Sequence, residues 1–208
     1  MSRHVKWCDV IPEIEPAEKS AQDGDRLRGM FAMQQRSTLA ALVVCGLVAG
    51  CVSTPPVTVR NKLPKDSEIA VVMFRDCTIP GQEEDCNGSG LATGSIFARV
   101  FSEKPGLRAV PLSRPVGATA QFDDSAAIAY AKSKGYQYVI NGEVEDYYRV
   151  APMTFRPERA GVAVRLLRTS DGEVLAFFSH RTHSQTNLTT PNAMLASMAE
   201  HVRDSVAP

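Results

Sequence analysis

The residues able to do chemistry fall into a few groups along this sequence, and each group points to a different reaction. Gly88-Ser89-Gly90-Leu91-Ala92-Thr93-Gly94 follows an apolar run and opens a helical pattern, and Tyr130 and Lys134 share one turn of the next helix. Glycines so placed would let backbone amides approach a pyrophosphate. Phe74 and Gly88, however, enclose 13 residues, and a dinucleotide-binding turn is tight. The glycines are therefore expected to open a helix, with Lys132 and Lys134 in water. His180 and His183 are three apart on a predicted strand, so they point to opposite faces and do not chelate one ion, and His201 stands alone on a predicted helix. No serine occupies a Gly-x-Ser-x-Gly elbow, and no cysteine has a neighbouring histidine. Glu143, Glu145 and Asp146 could divide acid and base roles, but the alternation around them reads as a solvated strand face that meets Arg165 on the next strand. The expectation is a protein without catalytic, metal-binding or cofactor-binding residues: not an enzyme.

Composition narrows the class further. Of the 208 residues 44% are hydrophobic, and 23 Lys plus Arg balance 23 Asp plus Glu. That is enough apolar content for a core, and the charge balance holds along the chain, which argues against nucleic acid as a partner.

Arg36 supplies a basic start to a run, Leu39 to Gly50, that has no charged or strongly polar side chain. This is the anatomy of a secretory signal, and the run is short of the roughly 20 apolar residues that cross a bilayer. Val48-Ala49-Gly50-Cys51 resembles the lipobox of bacterial lipoproteins. The resemblance implies cleavage before Cys51 and acylation of its thiol, and Val52 in place of Asp implies sorting to the outer membrane, on its periplasmic face. All the acidic residues of the first 50 lie between Asp9 and Asp25, ahead of this signal. Residues 1–32 are thus read as a wrongly assigned start or a disordered extension, with translation beginning at Met30 or Met33. Residues 33–50 form the signal and 51–65 a lipidated cysteine with a proline-rich linker; 66–208 form the folded domain. Extended at ~3.1 Å per residue, the linker with Pro55, Pro56 and Pro64 would hold that domain within about 40 Å of the membrane.

Within 66–208 the elements alternate. Glu68 to Phe74 is a continuous apolar run, the mark of a central strand buried on both faces. Ser89 to Glu103 places Leu91, Ala92, Ile96, Val100 and Phe101 on one helical face, stopped by Pro105-Gly106. Leu107 to Leu112 is a short strand. Asp123 or Asp124 caps a helix through Lys134 with Ala127, Ile128 and Ala131 as its stripe and Gly135 at its end. Tyr136 to Val150 alternates, Tyr138, Ile140, Val144, Tyr148 and Val150 facing inward and Asn141, Glu143, Glu145 and Arg149 outward. Gly161 to Arg168 and Glu173 to Thr182 flank an Asp-Gly turn as a hairpin. Thr190-Pro191 opens a last helix with Met194, Leu195, Met198, Val202 and Val206 on one face. The fold class is α/β in the order βαβα-βββ-α, a mixed sheet with helices packed on it.

Tyr136-Gln137-Tyr138-Val139-Ile140-Asn141-Gly142 and Ser170-Asp171-Gly172-Glu173-Val174 resemble motifs of the α/β domain shared by curli-secretion-type (CsgG-like) lipoproteins and the N-terminal domain of TolB. The resemblance covers about 140 residues and implies a fold and a compartment, with no active site to inherit. The sequence departs from the pore-forming members in lacking long amphipathic strands, so no secretion channel is expected.

With Cys8 in the wrongly assigned extension, Cys45 removed with the signal and Cys51 acylated, Cys77 and Cys86 remain as an even pair in an oxidising compartment and are expected to form a disulfide. Between the long strand and the hairpin, Tyr147, Arg149, Met153, Phe155 and Arg156 have the composition of interface hot spots and form a candidate partner surface, with Tyr147 and Arg149 expected to face outward. The expected role is a membrane-anchored, non-enzymatic accessory, assembly or scaffolding factor of the cell envelope, in secretion, flagellar or polysaccharide machinery. Its partners would be the membrane, envelope proteins and copies of itself. The alternative is a periplasmic module that binds a small molecule or glycan.

Overall fold

The computed structural model describes residues 55–150, 156–184 and 189–208. Its elements are Thr58–Val59 (β1), Ser67–Val72 (β2), Glu83–Cys86 (α1), Ser89–Ser102 (α2), Leu107–Leu112 (β3), Asp124–Ser133 (α3), Tyr138–Tyr148 (β4), Arg159–Arg168 (β5), Val174–His183 (β6) and Pro191–Val206 (α4). The six strands form one sheet in the order β1-β6-β5-β4-β2-β3. β2 lies parallel to both β3 and β4, and the other pairs are antiparallel. The expected α/β class and order are met, with β1 and α1 as additions.

β2 explains the layering. Ile69 and Val71 face a core shared with α2 and α4, whereas Ala70 and Val72 face a smaller core under α3. The crossovers β2-α2-β3 and β3-α3-β4 run in opposite directions along the sheet, and crossovers of one hand then place their helices on opposite faces. The carboxyl ends of the parallel strands are left as a crevice.

Helix α2 turns differently from its hydrophobic pattern. Leu91 is 61% exposed, while Gly90, Thr93, Gly94, Phe97 and Phe101 are buried. The cause is a close approach: a Cβ on Gly90 would overlap the Phe74 carbonyl, and one on Gly94 would lie 2.9 Å from Met73 Sδ. The two glycines therefore face the sheet, and Phe97 packs on Phe74 with ring centroids 5.1 Å apart.

The alternation in β4 also breaks. Its register with β5 shifts between Val144 and Asp146, leaving Glu145 as an extra residue, and a bulge exchanges the two faces beyond it. Tyr147 thus joins Val144 in the main core at 4% exposure, and Tyr148 is only half-buried. Asn141, expected in water, is 5% exposed.

Part of the expected linker belongs to the fold. Thr58 and Val59 pair with Phe177 and Ala176 of β6, the Leu63 side chain is 2% exposed, and Leu63 N donates to Val206 O at 2.8 Å. Pro55 and Pro56 have no N–H with which to extend the ladder, which accounts for the brevity of β1. At the other sheet edge Ser102 Oγ donates to Ala109 O and accepts from Ala109 N, Leu107 N donates to Lys104 O, and Pro111 has no donor. Exposed strand edges invite pairing with other chains, and β3 is sealed against it by these bonds.

Candidate functional site

The chain between β2 and α2 carries the two cysteines, and the glycine-rich stretch from Gly88 to Gly94 forms the start of α2. Cys77 and Cys86 are joined in a disulfide, both nearly inaccessible to solvent, and α1 lies within the loop they close. At the start of α2, Gly88 takes the left-handed conformation with φ of 77° and supplies no side-chain cap. The cap comes from Asp76, itself 4% exposed: Oδ1 accepts from Gly90 N at 2.6 Å and Oδ2 from Gly88 N at 2.9 Å. A carboxylate there satisfies the orphan amides and the positive end of the helix dipole. The amides that would cradle a phosphate are already occupied by this internal anion.

The crevice at the carboxyl ends of the parallel strands opens on the α3 side of the sheet, as a cleft of about 490 Å³ lined by Arg75, Arg114, Asp124, Asn141, Glu143 and Arg165 among others. Arg75 forms an isolated bridge with Glu143, its N–H donating to Gly142 O at 3.1 Å, and its guanidinium is ion-paired with Glu143. Arg114, just after β3, reaches back to donate to Ala120 O at 2.6 Å and lies 5.4 Å from the Phe122 ring centre. Burial, reinforced by the Arg75 charge, lowers the pKa of Arg114, with Asp76 and Glu143 opposing. Asp123 caps α3 by accepting from Ala126 N at 2.8 Å, which pulls its carboxyl below the ordinary range. Asp124 accepts from Asn141 Nδ2 at 3.0 Å and pairs with Arg165 at 3.5 Å.

This arrangement corrects the expected contact of Arg165 with Glu143 and Glu145. Arg165 stands opposite Asn141 in the register, and its guanidinium lies 5.7 Å from the Phe177 ring centre. Glu145 pairs with Arg181 at 3.1 Å and Asp146 with Arg159 at 3.4 Å. Each carboxylate of the supposed acid and base set thus has its own guanidinium. What the cleft offers chemically is mixed charge that can hold a polar ligand; its lining includes no histidine, cysteine or serine.

The candidate partner surface is divided. Tyr147, expected to face outward, is a core residue whose hydroxyl donates to Asn192 Oδ1 at 2.8 Å, and burial raises its pKa. Arg149 is exposed with its guanidinium 5.9 Å from the Tyr147 ring centre, and Arg156 is exposed. Met153 and Phe155 lie outside the described residues, as do Cys51 and the signal segment. Sequence reasoning missed Asp76, Arg75 and Arg114. Asp76 acts on amides 12 and 14 residues away, and nothing local in the sequence marks that contact.

No family model matches this sequence, and no curated protein matches it. The fold is similar to that of a PelC variant, a dodecamer from Paraburkholderia phytofirmans, with a TM-score of 0.57 and 17% identity over 75% of this chain and 100% of that one. A second structure of the PelC dodecamer from the same organism gives a TM-score of 0.53 and 18% identity, with the same coverage. Lipoprotein GNA1162 from Neisseria meningitidis is matched at a TM-score of 0.42 and 15% identity, over 67% of this chain and 97% of that one.

Proposed function

We propose that this protein is a lipid-anchored accessory factor of the bacterial cell envelope that works by assembling with other chains, copies of itself included, and not by catalysis. The observation that carries the assembly reading is the fold held in common with a protein that forms a dodecamer, across the whole of that protein's chain. The compartment rests on the sequence: a signal-like run ending at Cys51, whose acylation would anchor the domain 66–208 at the periplasmic face of the outer membrane. The motif resemblance to curli-secretion-type lipoproteins and TolB supports the same setting. The machinery served would be that of secretion, flagellar or polysaccharide assembly. Exposed Arg149 and Arg156, with Met153 and Phe155 between them in sequence, form the proposed partner surface.

Crosslinking in intact cells followed by identification of the captured chains tests this reading. Envelope proteins or crosslinked copies of this chain are expected, fewer of them in the variant Arg149→Ala/Arg156→Ala; a monomer alone overturns it. Cys51→Ser is expected to move the protein out of the membrane fraction, and unchanged fractionation would overturn the anchor. The mixed-charge cleft favours a second reading, a module binding a small polar ligand. A ligand-induced rise in Tm together with a monomer in the crosslinking experiment would establish that one instead.

A further inference from the structure

The net charge of zero conceals a separation of charge along the strand direction. Arg60, Lys62 and Lys65 stand on the segment joining β1 to β2, and all three are exposed. That segment is fixed to the domain: Arg60 N donates to Leu175 O at 2.8 Å, Leu63 N to Val206 O at 2.8 Å, and Ser67 Oγ to Pro64 O at 2.7 Å. Among the described residues, no carboxylate is ion-paired with any of the three cations. The nearby acids are engaged elsewhere: Glu173 is held by Arg168 at 2.7 Å and by Asn61 Nδ2 at 2.5 Å, and Asp204 pairs with Arg203 and Lys104. Asp66, next to Lys65, is the one acid on the ridge itself. At the far end of β2, the disulfide loop carries Glu83, Glu84 and Asp85, which have no cation partner among the described residues.

The path of the chain adds a second constraint. Pro55 O lies 3.2 Å from His201 Nε2, so at that residue, three before β1, the chain is already seated against α4. Four residue steps separate Cys51 from Pro55, a span of at most about 14 Å. An acylated Cys51 therefore holds the β1 edge within about 14 Å of the lipid, well inside the 40 Å reach expected of a free linker. The same N-terminal segment carries the anchor and, a few residues on, the three cations.

We propose that Arg60, Lys62 and Lys65 form a docking surface for anionic phospholipid headgroups, which holds the β1 edge against the membrane and turns the acidic disulfide loop away from it. Ammonium and guanidinium groups bond phosphate oxygens directly, and the field of an anionic surface attracts each basic group that lies within a Debye length. A lipid chain together with a basic patch makes a two-signal attachment. The proposal rests on Cys51 as the anchor for its orientation, although the headgroup contact can be measured apart from it.

The test is flotation of the full chain carrying Cys51→Ser with millimolar phosphatidylcholine vesicles, with and without phosphatidylglycerol, at about 0.15 M salt, where the Debye length is about 8 Å and only groups at the contact are felt. The ratio of the two partition constants isolates the electrostatic contact from any apolar affinity of the remaining chain. A basic group near an anionic surface contributes about five-fold in binding. Lys62→Gln is therefore expected to lower the ratio about five-fold, and Arg60→Gln/Lys62→Gln/Lys65→Gln on the order of 100-fold, down to equality of the two vesicles. Lys132→Gln/Lys134→Gln on α3 is expected to leave it unchanged. A ratio of one for the parent chain, or a ratio the triple variant does not lower, overturns the proposal. Because these side chains are exposed and unpaired, unchanged melting of the variants confirms that folding is intact. Loss of the anchor reading would show separately, as membrane fractionation of the wild-type chain indifferent to Cys51→Ser.

Discussion

Asp76→Ala is expected to cost this protein about 3 kcal/mol, more than its small change in volume would suggest. The Asp76 carboxylate accepts two backbone N–H bonds, from Gly88 and Gly90, at a site where Asp76 is 4% exposed. A hydrogen bond to a charged group contributes about 1.5 kcal/mol at the low end, so two give about 3 kcal/mol. Alanine would leave both amides of the α2 start unpaired, and water has little access to replace the acceptor. At 2–4 °C per kcal/mol for a domain of this size, Tm should fall by roughly 6–12 °C. Asp76→Asn keeps one acceptor oxygen but turns an NH2 group toward the second amide, so it should fall between wild type and alanine. Equilibrium urea unfolding with a shared m-value is the measurement, since a constant m confines the change to stability. A loss below about 1 kcal/mol for Asp76→Ala would refute the capping role. Equal stability of Asp76→Asn and wild type would show that the charge itself contributes nothing.

Replacing both cysteines, Cys77→Ser/Cys86→Ser, opens a loop whose ends are nine positions apart. The chain-entropy model gives a loss of about 2.7 kcal/mol for ten residues, read by the same urea titration with and without reductant, and reductant should affect only the parent. Gly90→Ala should be among the most damaging single changes, since its Cβ meets the Phe74 carbonyl. Gly135→Ala at φ of 87° meets no atom and should cost only about 1 kcal/mol, and comparable soluble yields of the two would contradict the close approach. Tyr147→Phe removes the bond to Asn192 at a cost of about 1 kcal/mol. With burial raising the Tyr147 pKa above its ordinary value of 10.0, its contribution is complete below that pH and is lost as pH rises through the folded value. The wild type should then lose more stability than Tyr147→Phe above about pH 10, as chemical unfolding at several pH values would reveal.

Much of the fold was legible in local patterns, because those patterns reflect local physics. The continuous apolar run of β2, the aspartate cap of α3 (at Asp123, of the two the sequence offered), the Thr190-Pro191 start of α4 and the Asp-Gly turn between β5 and β6 depend on neighbours a few residues away. The cysteine pair was legible from counting. The rest turned on contacts that sequence spacing does not encode. Helix α2 rotated from its apolar stripe because two glycines allow it to lie against Met73 and Phe74, a packing gain that outweighs burial of Leu91. One extra residue in β4 moved Tyr147 from the expected partner surface into the core, since strand faces alternate with period two and a bulge shifts every later side chain. Asp76 became a helix cap, and the linker a seated strand, through hydrogen bonds to groups distant in sequence. Sequence alone thus determined the principal elements and their order; tertiary structure decided which faces are buried and which charges remain free, because burial and pairing belong to the packed assembly of elements and not to any one of them.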